Sequence, residues 1–259
     1  MVSMKRKKKE SRAEMPFLDH LEELRWRILR SALYVVTFSV LGYFFVGYFD
    51  VVNLLKLPIE PFLDEGRLVF TRPTDAFLIT LKLSILIGLV FAFPFIFYEV
   101  WAFLAPALYE HEKRHVLPAL LAGTGLFIVG AWMAYLWIIP AALRIMLSER
   151  FVGEGLVPLI TAGDYFSFAT QVILAFGIVF ELPLVMVLLA VMGIVDPKFF
   201  AKNRRFAVLA GAIVAAFVTP PDAFTMLMML APILLLYEVG ISVGKLVWKR
   251  RGENTIAGP

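Results

Sequence analysis

From Ser31 to Phe49 the chain runs without one charged side chain, close to the ~20 apolar residues a helix needs to cross the hydrocarbon core of a bilayer. That first window opens near residue 25, and others follow near 76–104, 116–143, 165–192, 206–220 and 223–244. Such runs decide the solvent. With 60% of its 259 residues apolar, 18% charged and a mean hydropathy of +0.81, the chain has a balance that water-soluble domains of this size do not normally tolerate. Lipid offers the backbone no hydrogen bonds, and these runs far exceed the ~10-residue alternating strands of a membrane barrel. The expected fold class is therefore an all-α polytopic membrane protein with six transmembrane helices.

The basic stretch "KRKKKESR" resembles the start of a signal peptide, but the apolar run behind it is too long and lacks a small-residue cleavage site. It is read as a retained first span. Cysteine is absent, which excludes disulfides, thiolate metal sites and a cysteine nucleophile. Orientation follows from Lys and Arg. Nine lie up to Arg30, two in the 105–116 loop, four in 193–205 and four from Lys245 onward. The opposite side carries five, Lys56, Arg67, Arg72, Arg144 and Arg150, and Lys82 lies inside a span. The positive-inside rule then puts both termini in the cytoplasm.

The external loops 50–75 and 144–164 hold Pro58, Pro61, Pro73 and Pro158 and are expected to fold over the membrane surface as caps. No repeat of fixed period breaks the chain, so 15–248 is expected as one membrane domain, with a basic extension at 1–14 and a tail at 249–259. Between "KNRR" at 202–205 and "TPPD" at 219–222 the fifth span has room for only about 13 to 15 helical residues, or roughly 20 to 22 Å against a core of roughly 30 Å. The last two helices are expected to be short, a mismatch relieved by local thinning or a packing partner.

Two motifs suggest hydrolases and neither carries the chemistry. His111-Glu112-Lys113-Arg114-His115 has the spacing of a zinc protease, but a third ligand is lacking and two cations stand between the imidazoles. The alternative is a solvated, charged loop. Gly240-Ile241-Ser242-Val243-Gly244 fits a nucleophile elbow, yet it lies in a helix with no histidine after residue 115. Its glycines suit close helix packing. No enzyme activity, metal, cofactor or nucleic acid is expected.

The stretch "FLDHLEELRWRILR" puts Phe17, Leu21, Leu24 and Ile28 on one helical stripe and Asp19, Glu22 and Glu23 on the opposite arc. One reading is local pairing, Glu23 with Arg27 at i,i+4; the other is a carboxylate face that receives an external guanidinium. Glu181, in "FGIVFELPL", is the deepest carboxylate. It either faces a wet cavity or polar partner, as functional membrane carboxylates do, or makes a packing hydrogen bond to Gln171 or Thr170 of a neighbouring subunit or to a carbonyl freed near Pro183. Glu99 and Glu238 lie nearer the span ends and are weaker candidates.

"HLEELRWR" at 20–27, "VWAFLAPALYEHEKR" at 100–114, "FGIVFELPL" at 176–184 and "VTPPDAF" at 218–224 together resemble the TatC family, the multispanning subunit of the twin-arginine protein translocase. The resemblance covers about 16 to 248. It implies a glove-shaped, concave six-helix receptor in the bacterial cytoplasmic (inner) membrane. Such a receptor binds twin-arginine signal peptides on folded cargo and works with the single-span TatA and TatB, and with further TatC copies, under the proton-motive force. Positions matching the family's recognition acids are Glu23 and Glu112, with Phe103 as the associated aromatic and Glu22 and Glu110 as neighbouring acids. Glu181 matches an intramembrane glutamate, Thr219 and Met226 a partner-helix contact, and Pro58 a proline that holds the first external cap. Met226 departs from a position that is often Gln. Two other readings stand beside this one: an ion-coupled small-solute transporter using Glu181, and an intramembrane metalloprotease.

Overall fold

The computed structural model describes residues 17–63, 67–104, 116–148, 159–218 and 223–256, with the backbone alone for Phe17, Leu18, Val116 and 249–256. The elements are α1 (Phe17–Tyr48), α2 (Val51–Lys56), a 3-10 turn Glu60–Phe62, and α3 (Asp75–Leu104). α4 (Val116–Met133) passes through a π turn, Ala134–Ile138, into α5 (Ile139–Met146). Then come α6 (Ala162–Val179), α7 (Leu182–Val191), α8 (Pro197–Lys202), α9 (Arg204–Val218) and α10 (Ala223–Ile256). Among the described residues five stretches are long and apolar enough to cross a membrane: Asp19–Tyr48, Asp75–Leu104, Leu117–Met146, Ala162–Val191 and Ala223–Trp248. The chain is a multi-pass membrane protein.

Prolines set the irregularities inside these spans. Pro140 has no N–H to give, and its ring crowds the carbonyl four residues back, so the turn ahead of it widens over Ala134–Ile138. Pro183 does the same in the next span. There α6 stops at Val179, and Glu181 donates its backbone N–H to Ile178 before α7 resumes at Leu182.

The expectation of short final helices holds for one and fails for the other. α9 has 15 residues, about 22 Å long, but α10 has 34. Pro232 sits inside α10 without ending it, and the helix runs on into the basic segment past the apolar window. Gly193, at φ 72, supplies the left-handed residue that ends α7, and its N–H reaches the Ala190 carbonyl at 3.0 Å.

α1 packs along α3; α3 also packs on α4 and α6, α4 on α6, and α10 on α7 and α9. The α1/α3 crossing is built from small residues. A methyl placed on Gly88 would lie 2.5 Å from the Ser39 N, Cα and Oγ, and one on Gly42 would lie 2.5 Å from the Ser84 carbonyl oxygen. Toward one end of the pair Tyr34 and Phe38 meet Phe95. Moving down α1 moves up α3, so the pair is antiparallel. α1 otherwise shows its apolar residues to the outside, with Val36, Val40 and Phe44 exposed, as suits a helix facing lipid.

The described part of the loop at 50–75 packs back onto the helices. Val51, Leu55 and Ile59 are buried in the core. Tyr135 donates its hydroxyl to the Leu54 carbonyl at 2.7 Å and Tyr165 donates to the Leu55 carbonyl. Pro58 stands in the turn between α2 and the 3-10 turn, half-buried beside fully buried Ile59. The two loops are also tied together: Val69 N–H meets the Ile160 carbonyl at 3.3 Å, and Ala162 N–H meets the Val69 carbonyl at 2.9 Å.

Candidate functional site

The antiparallel α1/α3 pair brings the start of α1 against the end of α3. His20, Glu23 and Arg27 recur at three- and four-residue spacing on one face of α1. Arg27 donates Nε to Glu23 Oε1 at 2.9 Å, adds Nη2 to the same oxygen, and sends Nη1 across to Glu99 Oε2 at 2.9 Å. Arg30 Nη1 stands 3.9 Å from Glu99 Oε1. His20 Nδ1 is 3.6 Å from Glu23 Oε2, and its ring stacks on Phe103 at 4.3 Å between centroids and 11° between planes. One guanidinium thus bridges two carboxylates, with an aromatic plate beside them.

Exposure grades across the cluster. The Glu99 side chain is 5% exposed and that of Arg27 18%, while Glu23 reaches 22%. Glu23 Oε2 itself is covered and has no hydrogen-bond partner. That oxygen has acceptor capacity left unused, which a further charged donor could fill once the carboxylate is uncovered. The expected Glu23–Arg27 pair is therefore present, but it is one half of a larger network.

The apolar stripe of the α1 start faces outward, with Leu21 44% and Ile28 59% exposed, whereas Glu23 and Arg27 face α3. In lipid the apolar side is the solvent-facing one, so the amphipathic rule for water is reversed. Glu99, read as a weaker candidate, is a buried member of the network. Its signal was available, since a carboxylate in the last turns of an apolar helix requires a cation, and Arg27 stands at matching depth on α1.

Glu22 is exposed and outside the cluster, as is Asp19. Glu110, Glu112 and the His111–His115 zinc motif lie outside the described residues, and so does Thr219. Met226 is partly buried against the core. Among the described residues no three His, Asp or Glu side chains group as a metal site.

Glu181 forms a separate place. It sits at the break between α6 and α7, is 7% exposed, and neither carboxylate oxygen has a hydrogen bond of sound geometry, although the Phe127 backbone amide lies toward it. Gly123 of α4 leaves the room: a methyl there would meet Phe97 at 2.8 Å and Glu181 Oε2 at 3.1 Å. Phe97 and Glu99 are two residues apart on α3, so they point to roughly opposite sides of that helix. Within the chain, Gln171 Nε2 donates to the Phe217 carbonyl at 2.5 Å. Thr170 Oγ1 is likewise without a partner.

The remaining candidates have structural roles. Glu238 holds Arg204 through two bonds, 2.5 and 2.9 Å. Ser242 donates its hydroxyl to the Glu238 carbonyl at 2.8 Å, the back-bonding of a helical serine and not that of a nucleophile. A methyl on Gly240 would strike Met186 Sδ at 2.6 Å and approach Pro183 Cα to 3.1 Å, so this glycine permits the close α10/α7 contact.

Residues 19–232 match the family described as Sec-independent protein translocase protein (TatC). The chain is 36% identical over 239 residues to the Sec-independent protein translocase protein TatC of Aquifex aeolicus, spanning 92% of this chain and 98% of that one. It is 33% identical over 227 residues to the protein of the same name from Escherichia coli K12, covering 87% and 86%. Among solved structures it resembles the twin arginine translocase receptor TatC, with a TM-score of 0.79 and 35% identity over 88% of this chain and 99% of that one. The same receptor in DDM gives a TM-score of 0.78. Neither the protease nor the transporter reading gains support from these likenesses.

Proposed function

Because the chain belongs to the TatC family of Sec-independent protein translocase proteins, we propose that it is the twin-arginine signal-peptide receptor and core subunit of that translocase, with the Glu23 carboxylate receiving a signal-peptide arginine. The observation that carries the assignment is the guanidinium already seated on Glu23 beside the His20–Phe103 stack. Those atoms match the planar donor fork of arginine, which an ammonium cannot reproduce. Glu112 is the second recognition acid in this reading, with Glu22 and Glu110 as neighbours. Glu181 serves the deeper signal peptide or an incoming polar helix. Thr219 and Met226 are assigned to contact with TatA or TatB, and Pro58 to holding the external cap. The chain is non-catalytic: folded cargo moves under the proton-motive force with TatA, TatB and further TatC copies. The Lys and Arg distribution supports both termini lying inside, and membership of the family supports a bacterial cytoplasmic membrane location. It also supports 15–248 as the membrane domain between a basic extension and a tail.

The test is photo-crosslinking of a twin-arginine leader to the full chain in membranes. Glu23→Gln and Glu112→Gln should each cut the yield at least about tenfold, the loss expected when a charge-assisted pair is broken. Unchanged yield in both would remove the assignment.

A further inference from the structure

We infer that Arg27 is a resident competitor at the recognition carboxylate: it occupies Glu23 while Glu99 anchors it from behind, and an arriving arginine takes Glu23 by exchange. The inference rests on the reading of Glu23 as a recognition acid.

Three observations carry it. First, a single guanidinium is divided between two acids, Nε and Nη2 on Glu23 Oε1 and Nη1 on Glu99 Oε2. Second, the two halves are unequally buried. Glu99 is 5% exposed against 22% for Glu23, and Arg30 approaches Glu99 only to 3.9 Å. Taking Arg27 away from Glu99 would leave a charge uncompensated in the interior, so the Glu99 contact persists and the Glu23 contact is the exchangeable one. Third, Glu23 Oε2 has no hydrogen-bond partner. The His20 Nδ1 stays 3.6 Å away, and the ring is stacked on Phe103. Because Oε2 is covered, the carboxylate must turn toward the surface to meet the incoming guanidinium, and Oε1 leaves Arg27 in the same movement.

Selectivity follows from competition. A ligand must displace an arginine, and a strongly hydrated ammonium with no planar fork does so poorly. Discrimination of Arg-Arg from Lys-Lys is then set partly by what is already in the site, a form of selection against the wrong partner. In this account Arg27 and Glu99 are positioning residues for recognition and need not touch the peptide.

The measurement is the affinity of the full-length chain, in membranes, for a labelled twin-arginine leader and for its Lys-Lys counterpart. Arg27→Gln with Glu99→Gln removes the cation and its buried partner together. Lys-Lys binding should rise about tenfold and Arg-Arg binding less, so that their ratio falls about fivefold. Arg27→Lys, which keeps the charge and the fold, should lower the ratio part of the way. A purely structural role would not move the ratio, so an unchanged ratio in both variants overturns the inference. Glu23→Gln separates the two failures. Arg-Arg binding that survives it refutes the receptor assignment, whereas binding lost there with the ratio unmoved by the Arg27 variants refutes the competitor alone.

Discussion

Replacing Gly88 with alanine is the most direct test of how the site is held. The added methyl would lie 2.5 Å from three atoms of Ser39, two of them backbone, where carbon contacts are favourable only at about 3.5–4.0 Å. No rotamer relieves a clash with backbone, so α1 and α3 must separate by about 1 Å or more. Overpacking of this kind costs typically 1–3 kcal/mol, against which alanine returns about 1 kcal/mol of helix propensity. α1 packs chiefly on α3, so little else compensates. The same displacement at the cluster would stretch the 2.9 Å bond from Arg27 to Glu99 toward 4 Å, beyond a real hydrogen bond. Gly125, with nothing within 4 Å of a placed methyl, is the matched control. Reversible unfolding in mixed micelles, followed by tryptophan fluorescence, should show Gly88→Ala destabilised by up to about 2 kcal/mol and Gly125→Ala stabilised by up to about 1 kcal/mol. Equal stabilities for the two variants would refute the argument that this crossing depends on the absence of a side chain.

Tyr165→Phe should cost about 1–2 kcal/mol, because it strands the Leu55 carbonyl in the core; faster proteolysis within 50–63 would report the loosened cap, and unchanged cleavage would count against its role. Glu181→Leu should raise the stability of the isolated chain by about 1–3 kcal/mol, since both carboxylate oxygens are buried without a partner, while export in cells falls. A destabilised variant would show that the carboxylate is satisfied. Gly193→Ala should lower stability by about 1–2 kcal/mol, the cost of a side chain in the left-handed region; an unshifted unfolding midpoint would argue against that turn.

The spans were legible because lipid imposes one simple requirement, a run of apolar residues of sufficient length. The short α9 was legible for the same reason, being bounded by charges on one side and prolines on the other. What escaped was set by contacts between runs. The length of α10 depends on whether Pro232 ends or merely bends a helix, which neighbours decide. The widened turn before Pro140 and the break at Glu181 follow from proline chemistry, yet the sequence does not fix which way each is relieved. Glu99 was undervalued because its distance from the span end suggested an interfacial position, whereas the α1/α3 register hides it. Which side of α1 turns toward α3 was not legible either, since an apolar stripe on a lipid-facing helix does not mark the core, and it is Glu23 and Arg27 that turn inward.

The hydrogen-bonded strap between the two cap loops, Val69 with Ile160 and Ala162, fastens the molecule at the end opposite the Arg27 cluster. A helix of 30 residues such as α3 is about 45 Å long. With the strapped end as fulcrum, a tilt of about 2° moves its far end by about 1.5 Å, enough to part Arg27 from Glu99. The lever arm is longest where the ion bridge stands, so small rocking of the bundle is amplified there and damped beneath the caps.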